Sequence, residues 1–122
     1  MSKHWQSLSR RMLLDGAPWI TVQLEQVKLP NGVVIDDYFM LQTRSWVAVF
    51  AVTPDGRVPL VRQYRYGIDA YTLELPAGYI EPGEASVHSA QRELREEVGY
   101  TAAALEALGS YHLMAPRGDM QM

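Results

Sequence analysis

Three glutamates, Glu93, Glu96 and Glu97, fall close together in a stretch of strong helix formers. Successive helical residues rotate by about 100°, which places Glu97 roughly 40° around from Glu93 and Glu96 roughly 60° to the other side. Carboxylates crowded on one stripe repel one another unless something neutralises them. Mg²⁺ is a hard cation that takes oxygen ligands and keeps several waters, so it suits such a stripe, with Mn²⁺ as a substitute. A diphosphate bridging that metal would have its charge screened and its phosphorus polarised toward attack by water. Taken alone, an acidic stripe also suits a plain solvated helix face. Its neighbours bear on the choice: Gly78, where backbone carbonyls can approach a metal, precedes Glu84 and Glu93, and Arg92 adjoins the acidic run.

The stretch Gly78-Tyr-Ile-Glu-Pro-Gly-Glu84, continued by Arg92-Glu-Leu-Arg-Glu-Glu-Val-Gly-Tyr100, resembles the Nudix box. Every fixed position of that pattern is matched, and only Tyr100 is bulkier than the aliphatic residue usual there. The resemblance implies Glu93 and Glu97 as the main metal ligands, Glu96 as a supporting one, and the carbonyl of Ala77 or Gly78 completing the set. It implies that Arg92 and Glu84 brace the loop and helix, with Glu84 also reaching a second metal. Arg92, Glu96 and Glu97 are thereby the candidate catalytic residues.

Outside the box, Val61-Arg-Gln-Tyr-Arg65 and Leu73-Glu-Leu-Pro-Ala-Gly78 resemble ADP-ribose pyrophosphatases and related nucleoside-diphosphate-sugar hydrolases. That likeness implies Arg65 and Glu74 beside the substrate, although a purely structural ion pair suits them equally. It also implies a homodimer built on the N-terminal hairpin, with Trp19 and Tyr38 as aromatics that clamp the base between subunits. An aromatic on a strand suits a core position as well. The implied reaction is Mg²⁺-dependent hydrolysis of ADP-ribose or another NDP-sugar to a nucleoside monophosphate and a sugar phosphate. The alternatives are hydrolysis of another diphosphate, such as a dinucleotide or coenzyme A, and a shortened, non-catalytic Nudix module.

These groups need a scaffold, and the sequence suggests an α/β Nudix fold: a mixed β-sheet sandwiched between helices, with a dimerising N-terminal β-hairpin. We read 1–18 as an N-terminal arm and 19–122 as the Nudix domain, with the hairpin over 19–42 and the box over 78–100. Residues 1–17 are polar and lack periodicity, which suggests a loose arm or short helix. Trp19 to Val27 alternates, with Ile20, Val22 and Leu24 on one side, as a half-buried strand does. Pro30-Asn31-Gly32 marks a tight turn into a second strand, Val33 to Leu41. Trp46 to Val52 is continuously apolar, as expected of a central strand covered on both faces. Further strands are expected over Val58–Tyr64 and Tyr71–Leu75, then a helix over Ala85–Val98 stopped by Gly99, and a last strand around Leu105–Leu113.

Composition narrows the partners. The chain has 122 residues, 48% hydrophobic and 20% charged, which suits one globular domain. A net charge of −3 argues against a nucleic-acid-binding surface, which needs clustered Lys and Arg. There is no cysteine, hence no disulfide or thiolate site. Met1 to Leu14 lacks the apolar core of a secretory signal, and no apolar run approaches the ~20 residues that span a bilayer. A cytoplasmic protein without membrane contact is the expectation. The family resembled continues past Ala115-Pro116 with strands, a loop bearing an acid that often serves as general base, and a closing helix. Here the sequence runs to Met122, offering Asp119 as an acid and Gln121, which cannot act as a base. Three expectations stay open: a shortened chain, a fold completed by exchange in a dimer, or a box glutamate serving as base.

Overall fold

The computed structural model describes residues 4–119, in two units. The first takes in the described residues up to Arg44 and those from Tyr111 onward; the second is Ser45–Ser110.

In the first unit, the alternating stretch forms β2 (Ile20–Lys28), antiparallel to β3 (Val34–Thr43), with Ile20 opposite Thr43 and Lys28 opposite Val34. The predicted turn joins them, and Gly32 takes a φ of 88°, which costs glycine no Cβ clash. The polar N-terminal stretch is not a loose arm or a helix: Gln6–Gly16 is a full strand, β1, antiparallel to β2 along its length. Its residues are exposed almost throughout, so it carries no burial period to read. What makes it a strand is the unpaired edge of β2, whose backbone groups need partners. Glu25 is buried on β2 and is held by Arg10 (2.8 Å) and by the Ser7 hydroxyl (2.7 Å), both from β1. A short strand, β8 (Gly118–Asp119), adds parallel to β3, giving the order β1-β2-β3-β8.

In the second unit, the central strand is shorter than expected. β4 (Trp46–Ala48) pairs antiparallel with β7 (Ala77–Tyr79), and one more bond runs from the Val49 N–H to the Pro76 carbonyl at 2.8 Å. Pro76 has no N–H to return, so the ladder ends there, and Phe50 and Val52 are exposed. β5 (Val61–Arg65) and β6 (Ala70–Glu74) form a separate hairpin around a single 3₁₀ turn, Tyr66–Ile68. Helix α1 (Ser86–Val98) follows the expected bounds, and Gly99, at φ 74°, closes it with an N–H to the Arg95 carbonyl. It packs on β4 and β7, with Leu94 fully buried.

Leu105–Leu113 forms no strand. Leu108, Tyr111 and Leu113 stand exposed, so nothing buries the face that would turn this alternation into a strand. The four-stranded sheet is mixed as expected and the β4–β7 and β5–β6 pairs are antiparallel, while α1 is the one α-helix among the described residues, so helices do not flank a sheet on both sides there. No described helix is long and apolar enough to cross a membrane.

Candidate active site

The site is built where β7 hands the chain to α1. The connecting turn is tied by the Glu84 N–H to the Glu81 carbonyl (2.9 Å), with Gly83 at φ 77°. Helical spacing of three and four residues then presents Ser89, Arg92, Glu93, Glu96 and Glu97 toward β7 and the turn.

Two carboxylates lie against the strand. Glu93 is buried beside Gly78, and a Cβ on that glycine would overlap the Glu93 carboxyl itself. Glu97 accepts the Ala77 N–H at 2.9 Å through Oε2. The backbone expected to offer a carbonyl ligand and the two expected main ligands are therefore neighbours.

Arg92 is the hub. Its Nε and Nη2 donate to the two Glu84 oxygens at 3.0 and 2.9 Å, and Nη1 donates to Glu93 at 2.5 Å. Nη2 also donates to the Tyr79 carbonyl (3.0 Å) and to Ser89 Oγ (3.2 Å), which pins the helix to β7. Glu96 is held most loosely, 3.4 Å from Nη1, with 54% of its side chain exposed. The Arg92 guanidinium, helped by the Glu81 N–H, holds the Glu84 carboxyl down to about 2, while Glu84 and then Glu93 push the Arg92 value up. Glu84 thus stands as a brace, with both oxygens engaged.

The donor set of Glu93, Glu96, Glu97 and the Ala77–Gly78 carbonyls is all oxygen, which fits a hard divalent cation in chemistry. It is not already gathered as a cage: among the described residues no three acidic or imidazole groups are clustered to hold an ion. Glu93 faces Arg92 and Glu97 faces an amide, so a metal would draw these side chains together from their present partners.

Arg65 and Glu74 share one face of the β5–β6 hairpin. Arg65 Nε donates to Glu74 Oε1 at 2.8 Å and Nη2 donates to Oε2. The Arg65 guanidinium, then the Thr72 hydroxyl, holds the Glu74 carboxyl down to about 2. Arg65 is itself pushed up, chiefly by Glu74, with Glu97 adding to the effect, which sets this ion pair in the field of the box.

Trp19 and Tyr38 belong to the first unit. Tyr38 lies opposite Glu25 and Trp19 just precedes Ile20, which lies opposite Thr43. About six residues along the ladder separate them, roughly 20 Å, so one chain cannot close both on one base. The Tyr38 hydroxyl donates to the Pro116 carbonyl, and its ring meets Trp5 edge-on at 5.6 Å and the Arg117 guanidinium at 5.3 Å. Trp19 is 58% exposed, with Arg44 5.2 Å over its ring. Gln121 and the side chain of Asp119 lie outside the described residues.

Ser89, Thr72 and the Tyr79 carbonyl escaped the sequence reading. Ser89 is legible in hindsight as a small polar residue one turn ahead of Arg92 and Glu93 on the same stripe.

These carboxyls make acid stability a test of the site in the metal-free chain. Glu74 and Glu84 sit near 2 when folded, against an ordinary 4.5. A carboxyl lowered by folding stabilises fully above its unfolded value, and that stability is lost as pH falls through the folded value. The thermal midpoint of the wild type is expected to drop between pH 4.5 and 2, and to drop less in the double variant Glu74→Gln, Glu84→Gln. Melts followed by circular dichroism decide this; equal slopes would show that neither carboxyl is held down.

Known proteins share two stretches of the chain. Residues 5–41 match the nucleoside diphosphate sugar hydrolase N-terminal domain, and 42–122 match the NUDIX domain. The chain is 38% identical to an ADP-ribose pyrophosphatase of Bacillus subtilis, over 88% of this chain and 57% of that protein. It is 34% identical to an ADP-ribose pyrophosphatase of Mycobacterium tuberculosis, over 88% of this chain and 52% of that one. The chain therefore spans about half the length of these relatives. A crystal structure of an ADP compounds hydrolase superposes with a TM-score of 0.85 at 28% identity, covering 97% of this chain and 63% of that one. The box that the sequence spells out, the loop and helix that carry it and the domain match over 42–122 agree: the chain belongs to the Nudix family.

Proposed function

We propose that this protein hydrolyses a nucleoside diphosphate linked to a sugar, with ADP-ribose as the leading substrate, using Mg²⁺. The observation that carries the reading is the Arg92 hub, which binds Glu84, Glu93 and the Tyr79 carbonyl together and so fixes an acidic helix stripe against β7. The matched domains and the printed activities of the relatives support the same substrate class.

Glu93 and Glu97, with the Ala77 or Gly78 carbonyl, would hold the metal, and Glu96 would support them. Bound there, Mg²⁺ supplies charge that polarises the diphosphate and lowers the cost of ionising water. Arg92 keeps the stripe in register without touching substrate. Arg65, steered by Glu74, takes a diphosphate oxygen through its remaining N–H groups. Glu96, loosely held and open to solvent, accepts the proton of the attacking water. Water oxygen bonds to one phosphorus, the bond from that phosphorus to the bridging oxygen breaks, and AMP and ribose 5-phosphate leave. The separation of Trp19 from Tyr38 supports a base clamp only if the two come from different protomers, so we infer a homodimer. We place its activity in the cytoplasm.

The test is a product assay with Mg²⁺ on ADP-ribose, another NDP-sugar, a dinucleotide and coenzyme A. AMP and ribose 5-phosphate from ADP-ribose at the highest kcat/KM are expected. Preference for the dinucleotide or coenzyme A would replace the substrate assignment, and no turnover of any would make the protein a non-catalytic Nudix module.

A further inference from the structure

We infer that Thr72 is a positioning residue that holds Glu74, and through it the Arg65 guanidinium, in the orientation needed to meet a diphosphate. The inference rests on the reading of Arg65 as a substrate contact.

The hairpin register places the three on one face. Val61 lies opposite Glu74, Gln63 opposite Thr72 and Arg65 opposite Ala70, so Arg65, Thr72 and Glu74 all project to the same side. Arg65 must reach back along the ladder, past Thr72, to meet Glu74. Two of its groups, Nε and Nη2, are spent there, which leaves the Nη1 side of the fork as the part able to meet a ligand.

A bidentate pair fixes the guanidinium only as well as the carboxylate is itself fixed. Glu74 has free rotation about its terminal torsion, and Thr72 removes it. The Thr72 hydroxyl lies 2.5 Å from Glu74 Oε1, the oxygen that also accepts from Arg65 Nε. The competing acceptor, the Gln63 carbonyl, lies 3.3 Å away, so the single hydroxyl proton goes to the carboxylate. Thr72 is partly buried and β-branched on a strand, which restricts its χ1 and makes it a stiff anchor. Arg65 has about half its side chain exposed, so without that anchor the ion pair would sample several geometries in water.

The chemistry concerns binding more than bond breaking, and that separates it from a general folding role. Thr72→Val keeps the β-branched shape and removes the donor. It is expected to raise KM for ADP-ribose by about 5- to 10-fold, the scale of one ordinary net hydrogen bond felt through the exposed ion pair, with kcat within about twofold. Affinity for α,β-methylene ADP with Mg²⁺, measured by calorimetry, should weaken by the same factor. Thr72→Ser restores the hydroxyl and should return both to near wild type. In an Arg65→Ala background, Thr72→Val should cost nothing further, because the group it positions is gone.

Losses that add fully in the double variant, or a Thr72→Ser protein as impaired as Thr72→Val, would overturn the inference. If Arg65→Ala alone leaves KM and analogue affinity unchanged, the substrate role of Arg65 fails and the inference falls with it. If Arg65→Ala weakens binding while Thr72→Val does not, only the positioning role of Thr72 is lost.

Discussion

Replacing Glu97 by glutamine is expected to lower Mg²⁺-dependent hydrolysis of ADP-ribose by about 100- to 1000-fold, the scale of losing one preorganised charge at a reacting phosphoryl group. The substitution isolates charge from structure. Glu97 accepts the Ala77 N–H, and a glutamine carbonyl oxygen can accept the same bond, so the helix stays docked on β7. What disappears is one of the negative charges that would draw Mg²⁺ to the stripe and one of its oxygen ligands. Glu93 and Glu96 remain, so weakened activity should be partly recovered at high Mg²⁺. The thermal midpoint without metal should hold level or rise, since like charges on the stripe are fewer. Assay and melt belong together. Equal turnover in both proteins would remove the box from the mechanism, and a collapsed melting temperature would show that Glu97 is first a structural hydrogen-bond acceptor.

The sequence spelled out the box because its chemistry demands particular residue types at helical spacing. Glu93, Glu96 and Glu97 occupy the stripe their numbers require, and Gly99 ends the helix where its positive φ is needed. The Arg65–Glu74 pair was nameable from its likeness to relatives, but its geometry depends on the short 3₁₀ turn that sets the hairpin register. Other features depend on partners distant in sequence. β1 owes its extended form to the edge of β2 and not to any pattern of its own. β4 is cut short by a proline far along the chain that happens to lie opposite Val49. Tyr38 is nameable as an aromatic on a strand, but its contacts with Pro116, Trp5 and Arg117 come from segments that no local spacing announces. Residues whose type and spacing the chemistry demands were readable; Thr72 and Ser89, which only support them, and the contacts made by edge pairing were not.

Gly78→Ala should do more damage than any conservative change to a single glutamate. The reason is not backbone freedom, since Gly78 does not adopt a positive φ. It is space: the Cβ of alanine would fall on the Glu93 carboxyl, which is buried against this strand and has Arg92 on its other side. One of two things must then move. If Glu93 swings away, it leaves Arg92 short of a partner and the metal short of a main ligand. If β7 retreats, the Ala77 N–H is drawn from Glu97 and the Tyr79 carbonyl from Arg92, and the helix loses its seat. Overpacking of this kind costs about 1–3 kcal/mol. Turnover should fall by more than the roughly 100- to 1000-fold expected for Glu97→Gln, because a main ligand and the seat of the helix are disturbed together. The variant should also gain little from added Mg²⁺, because its fault is steric and not a deficit of charge. That contrast with Glu97→Gln is the informative measurement: Mg²⁺ titrations of both, at matched substrate, with the melting temperature of each. A Gly78→Ala protein with wild-type turnover would mean that Glu93 does not work from the position it holds beside β7.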